Sequence, residues 1–254
     1  MKAEFGELQF AYAITREIED RIIFSGLNLG IPSLPNLRKE GECGFDVAFE
    51  GPVVTLFLQY KLPEKLTRNY AREWADMGEK PYYRISIYPA DRSAQHNLLA
   101  ELARKSRRNQ VYYCAPAFTD YQDMTDFQKC HMVSAHSVFV NCYGLPYIEG
   151  KEEHCICYQR DSDSALMYSQ PENVRLEQGW KTVLEQSRQY TYDNMDEFLW
   201  QVLDMEDIPR TRKERSAKGE QEEEQVSLGR RLDTLTRVGN YFAREGIQLL
   251  LLKK

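Results

Sequence analysis

Asp46 in the run GFDVAF, and Gln59 and Lys61 at the end of VVTLFLQYK, have the types and spacing to act on a phosphodiester. In an extended strand residues i and i+2 share a face, so Gln59 and Lys61 project together. Glu50-Gly51-Pro52 between the two runs has turn chemistry, which predicts adjacent strands over 45–49 and 53–60. Their pairing would bring Asp46 to the same edge. A carboxylate and an amide oxygen suit a hard divalent cation, and a neighbouring ammonium can orient water or offset charge building on phosphorus. The competing reading is a buried Asp and a Lys whose stem covers apolar surface at a strand end.

Asp, a strand turn and then Gln-Tyr-Lys resembles the PD-(D/E)XK, or restriction-endonuclease-like, nuclease motif, and more closely its QxK variant in Mrr-type enzymes. The departure is Gln59, where most members carry an acid, so one negative charge is missing. The resemblance spans about the first half of the chain. It implies an α/β fold with a mixed β-sheet flanked by helices, and Mg²⁺ (or Mn²⁺) as cofactor. By the same resemblance, Asp46, Gln59 and Glu7 of the first helix would hold the metal, and Lys61 would position or activate water. The substrate would be nucleic acid, DNA before RNA, in a setting of bacterial restriction or anti-phage defence.

The elements that must position these residues follow from periodicity. A helix over 5–23 shows an i, i+3, i+4, i+7 apolar rhythm and carries Glu7 and Glu17. A Gly/Pro-rich loop over 25–43, with Arg38 and Lys39, leads to Asp46. Pro63 is placed as a helix N1 residue, predicting a helix to about residue 77 with Lys65, Arg68 and Arg72 on one basic face. Residues 82–88 alternate as a strand with Arg84 on one face. A helix over 93–104, with Ser93 as N-cap, presents His96 in its first turn, where it could carry a proton or bind phosphate. Arg104, Lys105, Arg107 and Arg108 form the densest basic cluster, and a strand over 111–118 ends near Pro116. Beside a cleavage site these cations are expected phosphate-backbone contacts, and elsewhere a solvated face.

Beyond these, the pattern predicts a helix over 120–129, a strand over 138–142, a hairpin over 154–160 and 165–169, and helices over 180–188 and 195–205. The charged run PRTRKERSAKGEQEEE reads as a linker or solvated helix end. A helix over 226–244 and a strand over 247–252 follow, and so apolar a run must join the sheet or meet a partner. The expected division is a nuclease-like core over 1–145, a hairpin and helical extension over 146–206, a linker over 207–225 and a possible docking element over 226–254. That last element would serve a protein partner or homo-oligomer. Cys155 and Cys157, with His154, Cys130 and His131, raise zinc, but the spacing is non-standard and small core thiols are expected instead.

A net charge of −6 over 254 residues argues against a wholly basic nucleic-acid binder but permits a local patch. No secretory apolar segment opens the chain, and no apolar run nears the ~18–20 residues of a membrane span. Six scattered cysteines then point to the reducing cytoplasm, without a membrane. The alternative function is a catalytically inactive nuclease-fold subunit that binds nucleic acid or a partner protein, with Gln59 marking lost metal chemistry.

Overall fold

The first helix, α1 (Glu7–Phe24), forms where the apolar rhythm predicts it, and Phe10, Ala13, Ile14 and Ile18 bury one stripe. The computed structural model describes residues 1–24, 28–29, 53–93, 95–160, 162–168, 171–187 and 248–253. Glu17 lies on the buried side of α1. Its two carboxylate oxygens accept the backbone N–H groups of Val133 (2.7 Å) and Ser134 (2.8 Å), at the start of a 3₁₀ turn over Ser134–His136. Removing that carboxylate strands two buried donors. Glu17→Ala is expected to cost about 2–4 kcal/mol and Glu17→Gln roughly half as much. The check is a lower urea midpoint with an unchanged slope.

Among the described residues the strands are β1 (Asn28–Leu29), β2 (Val53–Tyr60), β3 (Glu64–Leu66), β4 (Tyr82–Ile87), β5 (Asn109–Pro116), β6 (Ser137–Asn141), β7 (His154–Tyr158), β8 (Ser164–Tyr168), β9 (Glu172–Gln178) and β10 (Gln248–Lys253). The remaining helices are α2 (Gln95–Lys105), α3 (Tyr121–Lys129) and α4 (Gly179–Ser187). The strands form one sheet in the order β1-β10-β2-β5-β6-β9-β8-β7-β4-β3. Every pairing is antiparallel except β2–β5, which is parallel and has α2 in its connection. β9 pairs with β8 through Glu172–Arg175 and with β6 from Leu176 onward, so it carries the curl between the two halves. This is an α/β fold with a mixed sheet and helices, as expected.

Leu56, Leu58 and Tyr60 of β2 face Phe10 and Ile14 of α1 and Trp180 and Val183 of α4. Phe57, on the opposite face, joins Leu98, Leu99 and Leu102 of α2 and, across the curl, Ile85, Ile156 and Met167. The outer face of the β4–β7–β8 half forms a smaller cluster of Met77, Tyr82, Cys155, Cys157 and Tyr168. Strand alternation thus sends residues 57, 59 and 61 towards α2.

Four expectations change. The strand over 45–49 lies outside the described residues, but from Thr55 to Leu58 β2 has β10 on one side and β5 on the other. The place beside β2 assigned to 45–49 is therefore taken by β10. The helix expected over 63–77 is instead β3 followed by turns. Pairing with β4, including a 3.0 Å Glu64–Arg84 ion pair across the strands, overrides the N1 signal of Pro63. The segment set apart as an extension supplies β7, β8 and β9 to the same sheet, β7 pairing with β4. The C-terminal strand expected at a docking surface sits between β1 and β2, its backbone paired on both sides. Segments 188–247, with the helices expected over 195–205 and 226–244 and the linker, lie outside the described residues.

Candidate active site

β2 ends in Gln59-Tyr60, and Lys61 N–H extends the ladder by donating to Cys114 O of β5 at 3.0 Å. Gln59 is 3% exposed; its Nε2 donates to Tyr60 O at 3.1 Å, and its Oε1 is buried with no partner. An orphaned buried acceptor is rare and asks for an explanation. Lys61 Nζ donates to Gln95 Oε1 of α2 at 2.8 Å and lies 5.7 Å from the Tyr88 ring centroid. Tyr88 also carries Arg92, at 4.3 Å.

Glu7, in the first turn of α1, faces the same ammonium. Burial raises the Glu7 carboxyl while the Lys61 charge pulls it down, and burial lowers the Lys61 ammonium while Glu7 pulls it up. Each therefore stabilises the charged form of the other. Gln59 and Lys61 share a face of β2 as the strand period predicts, and Glu7 interacts electrostatically with Lys61 at the strand's end. Gln95, the acceptor that holds Lys61, lies in the first turn of α2. Tyr88 gave no signal beyond its strand. Asp46, Arg38 and Lys39 lie outside the described residues.

The donor set suits a hard divalent cation. Glu7 offers a carboxylate, and the unpartnered Gln59 Oε1 is an oxygen ligand without a competing hydrogen bond.

His96 departs from its expected role. It is 2% exposed, with Nδ1 at 3.0 Å from Tyr113 Oη and Nε2 at 2.9 Å from Pro146 O. The carbonyl can only accept, so Nε2 carries the proton and Nδ1 accepts from the tyrosine. Burial, outweighing the carbonyl bond, lowers its pKa to about 4. A ring so enclosed, with both nitrogens engaged, binds no phosphate and shuttles no proton to solvent. The unfolded chain protonates first as pH falls from 6.5, so the stability due to neutral His96 is complete above that value and is lost towards about 4. By pH 4.5 the loss should reach about 2–3 kcal/mol relative to pH 7. Denaturant unfolding at both values checks it, and His96→Gln should flatten the difference.

The basic residues scatter. Lys65 is on β3, 5.9 Å from the Tyr83 ring centroid, and Arg68 lies in the turns that follow, so no helical face aligns them with Arg72. Arg72 contacts Glu73 at 3.5 Å. Arg84 has the predicted strand position but is bound by Glu64 at 3.0 Å and Glu73 at 3.4 Å, so its charge is spent within the fold. Arg104 donates to Leu145 O at 2.6 Å and covers the Tyr147 ring at 4.2 Å; Arg107 lies 5.5 Å from the Tyr143 ring. Arg104 to Arg108, including Lys105, occupy the carboxyl end of α2 and the turn beyond, on the order of 15 Å from Gln95. There they also complement the helix dipole.

Cys130, His131 and His154 do not gather into a ligand cluster among the described residues, and His131 instead pairs with Asp20 at 3.3 Å. No described helix is long and apolar enough to cross a membrane. No protein-family model matches the chain, and no curated protein or solved structure gives a significant match.

Proposed function

We propose that the chain is a metal-dependent nuclease with a restriction-endonuclease-like core, hydrolysing phosphodiester bonds of DNA with little sequence specificity. The observation that supports this reading is Lys61 at the carboxyl end of the parallel pair β2–β5, held by Gln95 in the first turn of α2 and opposed in charge by Glu7. Ligands of open α/β sheets bind at the carboxyl ends of parallel strands. Helix N-termini favour anions such as phosphate, and α2 begins here without an acid in its first turn, Gln95 N–H being capped by Ser93 Oγ.

Glu7, Gln59 through Oε1, and Asp46 would hold Mg²⁺, which when bound neutralises phosphate charge and acidifies a bound water. Lys61 donates its Nζ–H to the attacked phosphate or the incoming water, and Gln95 fixes the ammonium in position. Glu7 partly offsets the lowering of the Lys61 ammonium by burial. Arg104 and Arg107, stacked on exposed tyrosines, are suited to hold a nucleic-acid backbone away from the cleavage point. Phosphate contacts carry no sequence information, hence the low specificity. A role in restriction or anti-phage defence accords with such an activity.

The uncharged Gln59 favours one rival, a nuclease-fold subunit that binds nucleic acid without cutting it. Plasmid and single-strand cleavage with Mg²⁺ or Mn²⁺, comparing wild type, Asp46→Ala and Lys61→Ala, decides between them. Calorimetric metal titration of the same proteins runs beside it. Cleavage lost in both variants, with folding intact, supports the enzyme. Binding of DNA with no cleavage and no Asp46-dependent metal uptake favours the subunit.

A further inference from the structure

On the far face of the sheet from α2, Glu73 approaches two cysteines that share one face of β7. Cys155 Sγ lies 3.6 Å from Glu73 Oε1 and 4.0 Å from Cys157 Sγ, and ligand atoms of all three fall within 4.8 Å of one another. All three residues are buried. We propose that Glu73, Cys155 and Cys157 form a zinc site that staples the turn-rich segment 67–80 onto β7.

The spacing is that of a tetrahedral ion. Zn–S bonds of about 2.3 Å and a Zn–O bond of about 2.0 Å place two sulfurs about 3.8 Å apart and sulfur about 3.5 Å from oxygen. The carboxylate is already oriented as a ligand. Its Oε2 accepts from Tyr82 Oη at 3.1 Å and from Arg84 at 3.4 Å, which leaves Oε1 turned to the sulfurs, with Arg72 Nε 3.5 Å from it on the exposed side. Hydrogen bonds to the outer oxygen are what fix a ligating carboxylate. Charge also closes: the divalent ion with Arg84 and Arg72 balances the two thiolates, Glu73 and the Glu64 that pairs with Arg84. On binding, the ion displaces the two thiol protons to solvent.

The backbone brings the ligands together without the ion. Cys155 and Cys157 point the same way because they are two apart on a strand. The 67–80 segment is held around Glu73 by Tyr168 Oη on Asp76 at 2.9 Å and Gln159 Nε2 on Met77 O at 3.0 Å. Three protein ligands leave a fourth position, which a water fills.

The test is metal content and spectroscopy on the full chain purified under reducing conditions. Wild type should retain about one zinc per chain through dialysis and lose it to a strong chelator. Cobalt added to the stripped protein should give tetrahedral d–d bands and thiolate charge transfer. Cys157→Ser should abolish the thiolate signature and Glu73→Gln should weaken zinc binding at least 10-fold, with Cys130→Ser, an exposed thiol, unchanged. The wild-type stoichiometry stands even if a buried variant fails to fold. Wild type that holds under a tenth of an equivalent and gives no cobalt–thiolate band overturns the proposal, as does a disulfide between Cys155 and Cys157 under these conditions. Metal uptake unchanged by both Cys157→Ser and Glu73→Gln overturns it equally.

Discussion

Replacing Lys61 by methionine is expected to lower metal-dependent DNA cleavage about 100- to 1,000-fold while leaving the fold in place. Methionine keeps the stem that packs at the end of β2 and removes only the charged head. What goes is the donor to Gln95 Oε1 and the countercharge to Glu7. A preorganised donor aimed at developing charge contributes about that factor, because no reorganisation is needed at the moment of reaction. Since the loss is confined to the transition state, the rate constant at saturating DNA should fall while binding changes little. Circular dichroism and a denaturation midpoint close to wild type are the controls. A variant that cuts as well as wild type would sink the role given to Lys61 whatever the rest of the site does.

Deleting residues 248–254 should bring the chain to the edge of unfolding. β10 pairs with β2 over six positions, from Gln248↔Leu58 to Lys253↔Val53, and with β1 over two more. At about 0.5–1.5 kcal/mol net per ladder hydrogen bond, the lost pairing alone amounts to several kcal/mol. Whole domains are stable by only about 5–15 kcal/mol. Deletion would also bare one edge of β2, the strand that carries Gln59 and Lys61, and an unpaired edge invites aggregation. Leu250→Pro, opposite Leu56, is the milder version, removing one ladder N–H in mid-strand. Both should show as lowered midpoints and, for the deletion, aggregation on a sizing column. An unchanged midpoint after deletion would mean that β10 is not a sheet strand, and a partner would again be its natural cover.

The two predictions bear on one strand, and that strand shows where sequence reading succeeds. A β-branched and aromatic run bounded by turn residues located β2 at Val53–Tyr60, and a period of two put Gln59 and Lys61 on a common face. Helical rhythm located α1, Ser93 Oγ accepting Gln95 N–H marked the start of α2, and Asp120 accepting from Gln122 and Asp123 caps α3. These signals are local, and the chain carries them wherever it goes.

What the sequence did not disclose depends on partners far along the chain. Nothing local says that β10 lies beside β2, because any apolar strand satisfies the same edge. Residues 64–66 carry a helix-start signal, yet β4 draws them into the sheet. Arg84 looked available to phosphate until Glu64 and Glu73 folded onto it, and His96 until Tyr113 and Pro146 enclosed it. Glu73 meets Cys155 across 82 residues, a distance no motif spans. Which residues share a face, and where α1, α2 and α3 start, are local properties that backbone period and capping carry in the sequence. Which faces meet is settled in three dimensions, because strand pairing and burial depend on every competing partner at once.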